Sequence, residues 1–379
     1  MTSPFRAFSA LLLSSFAAVA QSPAPPPNVL RIGTWNLEFL GAEGDYRDHL
    51  PLRTDADFAA IGKKVHDLGV ALLAVQEACG EAPVKKVAAA AGPSWQCVVG
   101  TSGGWDDGKT FQSIGFLYDT SVLELLQAEE LLQFPRELEG VPIFHRVPLT
   151  ACFRVKATGF DFRAITVHLK AGRAAKDEQK RRLEATTLHE WLAGLQKDAG
   201  EDQDIVLLGD FNCTYGAEPE TILEQGGGLQ YSAMPTRPPT ILHFADPIDQ
   251  IVVGRGLDEA KAATFTVHGD LGGLERDAWR KTYSDHFPVT IDLDAARDAD
   301  PQATFAHGPM SQSLPVTLRP KTKGTRPAVG ASVYVVVQGG ETLRGVLVEP
   351  VPATAIGYLT LDSGVMTLIP LDKVLRIEW

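Results

Sequence analysis

Short runs of apolar residues recur along this chain, and most of them end in a carboxylate, an amide or an imidazole. Residues 205–208 (Ile-Val-Leu-Leu) begin with β-branched residues, which predicts a strand buried on both faces. Gly209 interrupts the run. Asp210 and Asn212 follow two positions apart, so both side chains point the same way in an extended segment. Taken alone, this pattern is also typical of a polar turn after a strand.

Five further runs with strand character carry comparable polar residues at or near one end. The polar residues are Asn36, Glu77, His168, Asp249 and the pair Asp285 and His286. Helical stretches and meanders separate the runs, so we expect a mixed sheet rather than a purely parallel one. A lone amide or histidine at a strand end is more often structural than catalytic. The hypothesis of a site therefore depends on whether these residues converge.

Helical periodicity occurs in two stretches between the strands. Thr54 followed by Asp57 predicts a capping box in which Asp replaces the usual Glu. The apolar face of the helix that follows comprises Phe58, Ile61, Val65 and Leu68, and Gly69 is expected to end it. A second helix follows Lys170 and has an apolar face formed by Leu188, Trp191, Leu192 and Leu195.

The first twenty residues have the pattern of an export signal. Arg6 supplies a positive start, residues 10–20 are largely apolar, and residues 18–20 (Ala-Val-Ala) resemble a cleavage site for small residues. The alternative is a membrane anchor, but the apolar run is short for a span and no charged stop follows it. We therefore expect a secreted or periplasmic protein without stable membrane insertion.

Four cysteines become disulfide candidates if the protein is exported. They are Cys79, Cys97, Cys152 and Cys213, which allow three connectivities. Cys79 and Cys213 follow predicted strand ends close to the polar motifs, so we expect them to staple loops rather than act as nucleophiles. The absence of paired cysteine spacing argues against a zinc site.

The last part of the chain changes character. Residues 296–328 are predicted to be a linker, because Pro, Ser, Thr and basic residues dominate there. Residues 329–379 contain five short predicted strands separated by turn signals, which indicates a small all-β domain. Its pattern resembles Sm-like or SH3-like barrels, and an assembly or solubility role is the simplest expectation. Residues 28–295 remain for a large first domain.

The overall composition is that of an ordinary globular protein, with 44% apolar and 22% charged residues among 379. The net charge of −12 means that binding to a polyanion would need a local basic patch or bridging cations. Several of the polar residues at strand ends are carboxylates, which repel one another unless cations intervene. Their hard oxygen atoms suit Mg²⁺, Mn²⁺ or Ca²⁺ rather than zinc or copper.

The remaining polar residues supply the other groups that a hydrolytic site needs. His286 can accept a proton from water, and Asp249 is the natural candidate to fix its tautomer. Amides such as Asn36 and Asn212 can donate to a phosphoryl oxygen without adding negative charge. Together these groups predict metal-assisted attack of water on a phosphoester.

Six ordered segments carry a family resemblance. They are Thr34-Trp35-Asn36, Gln76-Glu77, Val167-His168-Leu169-Lys170, Gly209-Asp210-Phe211-Asn212, Asp249-Gln250-Ile251 and Ser284-Asp285-His286-Phe287-Pro288-Val289. In this order the chain resembles the endonuclease/exonuclease/phosphatase superfamily, and most of all its secreted deoxyribonuclease-like branch. The resemblance implies an α/β (α+β) four-layer sandwich, in which two mixed β-sheets are flanked by helices.

The resemblance also implies a role for each residue. Glu77 is the main expected metal ligand, with Asn36 and Asp285 nearby, and Asp210 orients water or a second metal. His286 is the expected general base, oriented by Asp249. Asn212 is expected to contact the phosphate, and His168 to stabilise or protonate the departing oxygen.

Arg146, Lys170 and Trp105 complete the expected substrate site, and Gln112 departs from the family pattern there. Arg146 resembles a position that meets substrate phosphate in secreted nucleases. Gln112 stands where that branch has a Glu supporting the first histidine, which is a departure from the family pattern. Lys170 lies close to the expected site, and Trp105, in the glycine-rich loop 100–109, is a candidate for stacking on a base or ring. That loop can also be a simple connection.

The sequence therefore predicts an exported, divalent-metal-dependent phosphodiesterase, with nucleic acid, DNA or RNA, as the expected substrate. The alternatives keep the chemistry but change the substrate to a phospholipid such as sphingomyelin, or to an inositol phosphate. A long apolar hairpin of the kind that membrane-acting members use is not evident in the sequence, which disfavours the lipid. A non-catalytic binding protein is the weakest hypothesis, because every expected polar position is filled.

Overall fold

The structure is a computed structural model. It describes residues 28–41, 52–103, 112–131, 134–135, 137–197, 201–214, 216–231, 238–260, 265–296, 298 and 305, together with six strands of the C-terminal region. The expected export signal, residues 1–20, and Trp105 lie outside the described residues.

Twenty strands and five helices make up the described secondary structure. The strands are β1 (Val29–Leu40), β2 (Leu72–Ala78), β3 (Trp95–Val99), β4 (Ser113–Asp119), β5 (Leu123–Glu130), β6 (Glu137–Leu138), β7 (Val141–Pro142), β8 (Leu149–Val155), β9 (Asp161–His168), β10 (Ile205–Asp210), β11 (Leu229–Tyr231), β12 (Asp249–Gly254), β13 (Phe265–Val267), β14 (Val289–Asp294), β15 (Thr317–Arg319), β16 (Ser332–Val337), β17 (Thr342–Leu347), β18 (Ala355–Thr360), β19 (Met366–Pro370) and β20 (Val374–Glu378). The helices are α1 (Asp55–Asp67), α2 (Glu81–Ala91), α3 (Ala175–Leu195), α4 (Glu218–Leu223) and α5 (Arg276–Thr282).

Two six-stranded sheets form the large domain. The first has the order β13-β14-β1-β2-β4-β3, and the second has the order β11-β12-β10-β9-β8-β5. Each contains one parallel pair, β1 with β2 and β9 with β10, among antiparallel neighbours. The expected mixed α/β architecture of two sheets flanked by helices is therefore confirmed.

The apolar core lies between the two sheets and continues under the helices on their outer faces. Strand β10 shows this division directly, because Val206 and Leu208 join the core between the sheets. Ile205 and Leu207 belong to the outer core that α3 covers with Leu188 and other residues. The four residues alternate between two buried surfaces, so the strand is buried on both faces, as its continuous apolar run predicts.

Helix α1 confirms the predicted capping box and apolar face. The Thr54 hydroxyl accepts a hydrogen bond from the Asp57 amide at 3.3 Å, and the Thr54 amide donates to the Asp57 carboxylate at 2.8 Å. Phe58, Ile61 and Val65 are buried against the first sheet's outer core. The helix ends at Asp67, two residues before the predicted Gly69.

The sheet registers bring the predicted polar residues to one end of the sandwich. In the second sheet, Asp210 pairs with His168 on one side and with Asp249 on the other. In the first sheet, Asn36 pairs with Gln76, directly before Glu77. Because the parallel strands of both sheets end at the same edge, the polar residues face one another across the sandwich.

The C-terminal region forms a separate six-stranded sheet with the order β15-β20-β16-β17-β18-β19. The five predicted strands coincide closely with β16 to β20. The sixth strand, β15, lies inside the predicted linker 296–328 and pairs in parallel with β20. The all-β character agrees with the prediction, whereas the exact domain boundary stays a prediction.

The expectation of disulfides is wrong in this structure. All four cysteines lie among the described residues, and no disulfide joins them. Cys97 faces Leu117 across β3 and β4, and Cys152 faces Arg163 across β8 and β9, so their strand partners are not cysteines. Cys213 is buried in the outer core of the second sheet. Among the described helices, none combines the length and the apolar character needed to cross a bilayer.

The capping box yields a stability prediction. We expect Thr54→Ala to lower the free energy of unfolding by about 1 kcal/mol, because the first turn of α1 loses its side-chain acceptor. Urea unfolding followed by circular dichroism measures the change. Thr221→Ala, at another exposed threonine, is the matched control, and an equal loss in both variants would contradict the assignment.

Candidate active site

Strained backbone marks the end of the sandwich where the polar residues meet. Among the described residues, six that are not glycine have a positive φ, and four of them lie here. These four are Glu38, Phe39, Glu77 and Asn212, with φ between 44° and 58°. Such backbone conformations cost free energy and concentrate at functional sites. The strain therefore supports a site at this position independently of any motif.

The segment after β10 takes its shape from a glycine. Gly209 has a φ of +152°, and a Cβ atom built there would lie 2.0 Å from the carbonyl oxygen of Val167 on the neighbouring strand. Only glycine allows this close approach of β10 to β9. The turn that follows is held by the Asn212 amide, which donates to Asp210 Oδ1 at 2.8 Å, and by Asn212 Nδ2, which donates to the Leu169 carbonyl at 3.1 Å. Asp210 and Asn212 are thus in direct contact.

A histidine and a carboxylate from opposite sheets are in direct hydrogen-bond contact in the site. His286 precedes β14 of the first sheet, and its Nδ1 lies 2.9 Å from Asp249 Oδ2 on β12 of the second sheet. The other ring nitrogen, Nε2, lies 3.9 Å from Asp210 and 3.8 Å from Asp285. Burial lowers the pKa of His286, but the charges of Asp249, Asp210 and Asp285 outweigh this effect and raise it well above its ordinary value. This is the geometry of a histidine oriented by a carboxylate.

A second cluster centres on Glu77 and Asn36. Asn36 Nδ2 donates to Asp210 Oδ2 at 2.9 Å and to Glu77 Oε1 at 3.3 Å, so one amide links carboxylates of both sheets. The other Glu77 oxygen accepts the Phe39 amide at 3.2 Å. His168 Nε2 faces both carboxylates, at 3.5 Å from Asp210 and 3.7 Å from Glu77.

Burial shifts the pKa values of this cluster in the directions expected for uncompensated charge. It raises the pKa of Asp210 to about 7, assisted by the nearby charge of Asp249. It also raises the pKa of Glu77, assisted by Asp285. The pKa of His168 is held well below its ordinary value, first by burial and then by the charge of Arg146. Perturbed groups packed together in this way are characteristic of active sites.

Glu38, which was not among the residues predicted from the sequence, supports Asp285. Its carboxylate accepts the Asp285 amide at 3.0 Å and is held by a double hydrogen bond from Arg280 of α5. Burial raises the pKa of Glu38, and the hydrogen bond from Arg280 opposes that shift. The signal in the sequence was a further carboxylate two positions after Asn36. The alternation of the strand did not single out Glu38, because the backbone there leaves the extended conformation for the left-handed region.

Arg146 and Gln112 are both buried and contact each other. Arg146 is buried, and its guanidinium donates to the carbonyls of His168 and Leu169 at 3.0 and 3.1 Å and to the Gln112 side chain at 2.6 Å. Gln112, which replaces the family's supporting Glu, thus contacts Arg146. His168 Nδ1 is buried without a hydrogen-bond partner among the described residues. Substrate contact by Arg146 stays a prediction.

The loop after His168 is fixed by the buried face of α3. Glu184 accepts the amides of Lys170 and Phe144, and Arg181 donates to the carbonyls of Lys170 and Gly172. The ammonium group of Lys170 lies 3.1 Å from Asp177. Lys170 therefore lies two residues after His168, on a loop that α3 holds in place, and its contact with substrate stays a prediction. Trp105, the remaining predicted residue, lies outside the described residues.

The oxygen-rich donor set fits a hard divalent cation. The expected ligands Glu77, Asp210 and Asp285 supply hard oxygen atoms, and burial raises the pKa values of Glu77 and Asp210. Asp249 Oδ1 is buried without a hydrogen-bond partner among the described residues. One ligand atom from each of Asp210, Asp249 and His286 falls within 4.8 Å of the others, so this second trio qualifies by distance. We favour the first set, because Asp249 and His286 are hydrogen-bonded to each other.

The Endonuclease/Exonuclease/phosphatase family model matches residues 33–286, which is more than half of the chain. The chain belongs to this family. Its members are hydrolytic phosphoesterases that typically use divalent metals, and the site described above supplies the groups for that reaction. No sequence among curated proteins matches this chain.

Solved structures with the same fold come from several organisms. A family protein from Bacteroides vulgatus has 19% identity and a TM-score of 0.52, and the match covers 70% of this chain and 98% of that one. A family protein from Bacteroides thetaiotaomicron has 20% identity and a TM-score of 0.50, with 71% and 98% covered. A humanized D. rerio TDP2 has 18% identity and a TM-score of 0.50, with 70% and 99% covered. At these identities the likeness shows the fold alone.

The histidine–carboxylate pair yields the first prediction for the site. We expect His286→Ala and Asp249→Asn each to lower kcat for phosphodiester hydrolysis by about a hundredfold or more, because the base or its orientation is lost. Steady-state kinetics with bis(4-nitrophenyl) phosphate measure the change. His66→Ala, on the exposed side of α1, is the matched control and should keep wild-type activity. Equal rates in His286→Ala and the wild type would contradict the assignment.

Glu38 yields the second prediction for the site. We expect Glu38→Ala to raise the metal concentration needed for half-maximal activity by about tenfold, because Asp285 loses the carboxylate that holds its backbone. Titration of the chelator-treated enzyme with Mg²⁺ measures the shift. Glu81→Ala, an exposed glutamate on α2, serves as the control. An unchanged titration in Glu38→Ala would show that Asp285 is positioned by other contacts.

Proposed function

We propose that this protein is an exported, divalent-metal-dependent nuclease that hydrolyses phosphodiester bonds of DNA or RNA. The observation that carries the chemistry is the His286–Asp249 pair, whose Nε2 side faces the carboxylates of Asp210 and Asp285. This arrangement joins a proton acceptor to the groups that fit a cation. The family sets the reaction class, and the choice of nucleic acid as substrate rests on the rim of the site.

The side chains of this chain divide the work of hydrolysis. In its neutral form, His286 takes a proton from the attacking water through Nε2, while Asp249 accepts a hydrogen bond from Nδ1–H and keeps the ring in place. Asp210 accepts a hydrogen bond from the same water and so orients it. Asn212, whose side chain is fixed by the Leu169 carbonyl, lies beside Asp210 and is positioned to donate to the phosphoryl oxygens. His168, buried against Glu77 and Asp210, donates to the departing oxygen.

Glu77 and Asp285, with Asn36 beside them, would hold the cation, for which Mg²⁺ is the first candidate and Mn²⁺ or Ca²⁺ the alternatives. A bound divalent cation supplies charge for the phosphoryl oxygens and compensates the buried carboxylates. Asn36 contributes mainly through its amide, which keeps the Glu77 and Asp210 carboxylates in a fixed relation.

A local basic rim supports nucleic acid as the substrate despite the net charge of −12. Lys170 and Arg173 lie on the loop between His168 and α3, and the Arg173 side chain is 75% exposed. Basic side chains next to the reacting centre can hold the phosphates that flank the scissile bond. Arg146 has a supporting role, because its guanidinium donates to the backbone carbonyls of His168 and Leu169.

Two further parts of the proposal concern regions away from the site. Export rests on the N-terminal pattern around Arg6 and residues 18–20, which supports a secreted or periplasmic location. The C-terminal sheet is proposed to mediate assembly or solubility, because a small all-β unit needs no catalytic group to serve either role. Both parts are independent of the chemistry.

The nuclease proposal predicts metal-dependent cleavage of nucleic acid. Purified full-length protein, incubated with plasmid DNA and with single-stranded RNA, should cleave at least one of them with Mg²⁺ and neither of them with excess EDTA. Gel electrophoresis reads the products, and His286→Ala is the control for contaminating nucleases. Cleavage of sphingomyelin or an inositol phosphate without cleavage of either polymer would contradict the proposed substrate.

A further inference from the structure

An apolar pocket of about 320 Å³ lies beside the catalytic histidine. Its walls include Leu242, Phe244, Val267, Leu271, Arg276 and Phe287. None of these residues has a role in the hydrolytic chemistry described above. A pocket of this kind, apolar with a small number of polar groups, is the usual form of a ligand site.

The pocket is joined to the reacting centre through the loop before β12 and the segment before β14. Phe287 follows His286 directly, and the Leu242 amide donates to the Asp285 carbonyl at 2.7 Å. Ile241, also in the wall, forms a β-bridge with His286. A ligand that fills the pocket would therefore contact the segment that carries Asp285 and His286.

A second connection comes from the opposite sheet. The guanidinium of Arg173, five residues after His168, lies 4.9 Å from the ring centroid of Phe244. Arg173 also lies 3.6 Å from Asp246 on the same loop as Phe244. The lip of the pocket thus spans from the His168 loop to the His286 segment, and the scissile phosphate would lie between these two segments.

Among the described residues, three large apolar side chains are exposed, namely Leu52, Phe244 and Leu274. Leu52 is not part of the pocket, whereas the other two lie at it or close to it in sequence. Phe244 lines the pocket with 46% of its surface exposed, and Leu274 belongs to the segment between Leu271 and Arg276. An exposed aromatic ring at the lip of a pocket offers a flat face on which a planar ligand can stack.

The charges around the pocket select its occupant. Arg276, whose guanidinium donates to the Leu242 carbonyl at 3.2 Å, brings a cation to an apolar wall. Arg280, one helical turn further along α5, pairs with Glu38 next to Asp285. Two guanidinium groups, Arg173 and Arg276, therefore accompany one exposed aromatic ring. This combination suits a planar base whose attached phosphates are anionic, since bases stack on aromatic rings and guanidinium planes.

We propose that this pocket binds a nucleobase of the nucleotide next to the scissile phosphate, stacked on Phe244. The inference rests on the proposed nuclease function and adds a subsite to it. The size of the pocket is adequate for one ring system. The base would anchor the substrate while His286 and the carboxylates act on the phosphate, so that binding away from the reacting bond would contribute to catalysis.

The kinetic test compares substrates that differ by one base. Two short single-stranded oligonucleotides carry a single cleavable phosphodiester, and each lacks the base on one side of it through an abasic spacer. We expect one of the two abasic substrates to have a kcat/KM about tenfold below that of the complete oligonucleotide. Phe244→Ala and Gly269→Leu should shrink this ratio towards one. Gly269 is chosen because an added side chain would meet the ring of Phe287.

Matched controls separate the pocket from general damage. Gly194→Leu adds the same side chain at a position on α3 with no neighbouring atom within 4 Å, and it should keep the tenfold ratio. Thermal unfolding confirms that each variant is folded. A ratio near one in the wild type, or an unchanged ratio in both pocket variants, would overturn the inference.

A binding test decides the subsite even if no polymer is cleaved. Calorimetric titration of the metal-free wild type with adenosine 5′-monophosphate and with ribose 5-phosphate should show about tenfold tighter binding of the nucleotide, and Phe244→Ala should remove the difference. Equal binding of the two ligands would overturn the subsite. Displacement of the nucleotide by octyl phosphate at lower concentration would assign the pocket to an alkyl chain and would also overturn it. Absence of polymer cleavage together with base-dependent binding would instead overturn the nuclease proposal alone.

Discussion

Hydrogen bonds that cross between the two sheets hold this active site together. The His286–Asp249 pair, the bond from Asn36 to Asp210 and the bond from Gln76 to Thr166 each join a residue of one sheet to a residue of the other. Their lengths depend on the spacing of the sheets, which the apolar core between them sets. A core that packs the sheets face to face is therefore the condition on which the catalytic distances depend, because shifting one sheet would separate every pair at once.

The same end of the sandwich contains features that cost free energy of folding. Backbone at Glu38, Glu77 and Asn212 lies in the left-handed region, and the carboxylates of Glu77 and Asp210 are buried with raised pKa values. Favourable packing in the rest of the domain must offset these costs. The arrangement is understandable if a cation occupies the space between the carboxylates during catalysis, since that charge would favour their ionised forms.

Hydrogen bonds from surrounding residues hold the segments that carry the site. Arg146 donates to the carbonyls of His168 and Leu169, and Arg181 and Glu184 of α3 bind the backbone of the following loop. Glu38, held by Arg280, accepts the backbone amide of Asp285. Such outer contacts orient the residues that act on substrate. The apolar pocket lies between the loop before β12 and α5.

The sequence by itself determined the strands that end in polar residues, the first helix with its cap and the list of those polar residues. These are local properties: the alternation around β10, the capping box at Thr54 and the motif order all act over a few residues. Tertiary structure alone decided that Arg146 turns inward, that Glu38 supports Asp285, that the four cysteines form no disulfide and that Phe244 borders a pocket. Each of these depends on contacts between segments far apart in the chain, such as Glu38 with Arg280, and no local pattern specifies which distant partner a side chain meets. The segment at Asp210 and Asn212 shows both levels, because its strand could be predicted from the sequence. Its meeting with His168, Asp249 and Asn36 required the two sheets to pack.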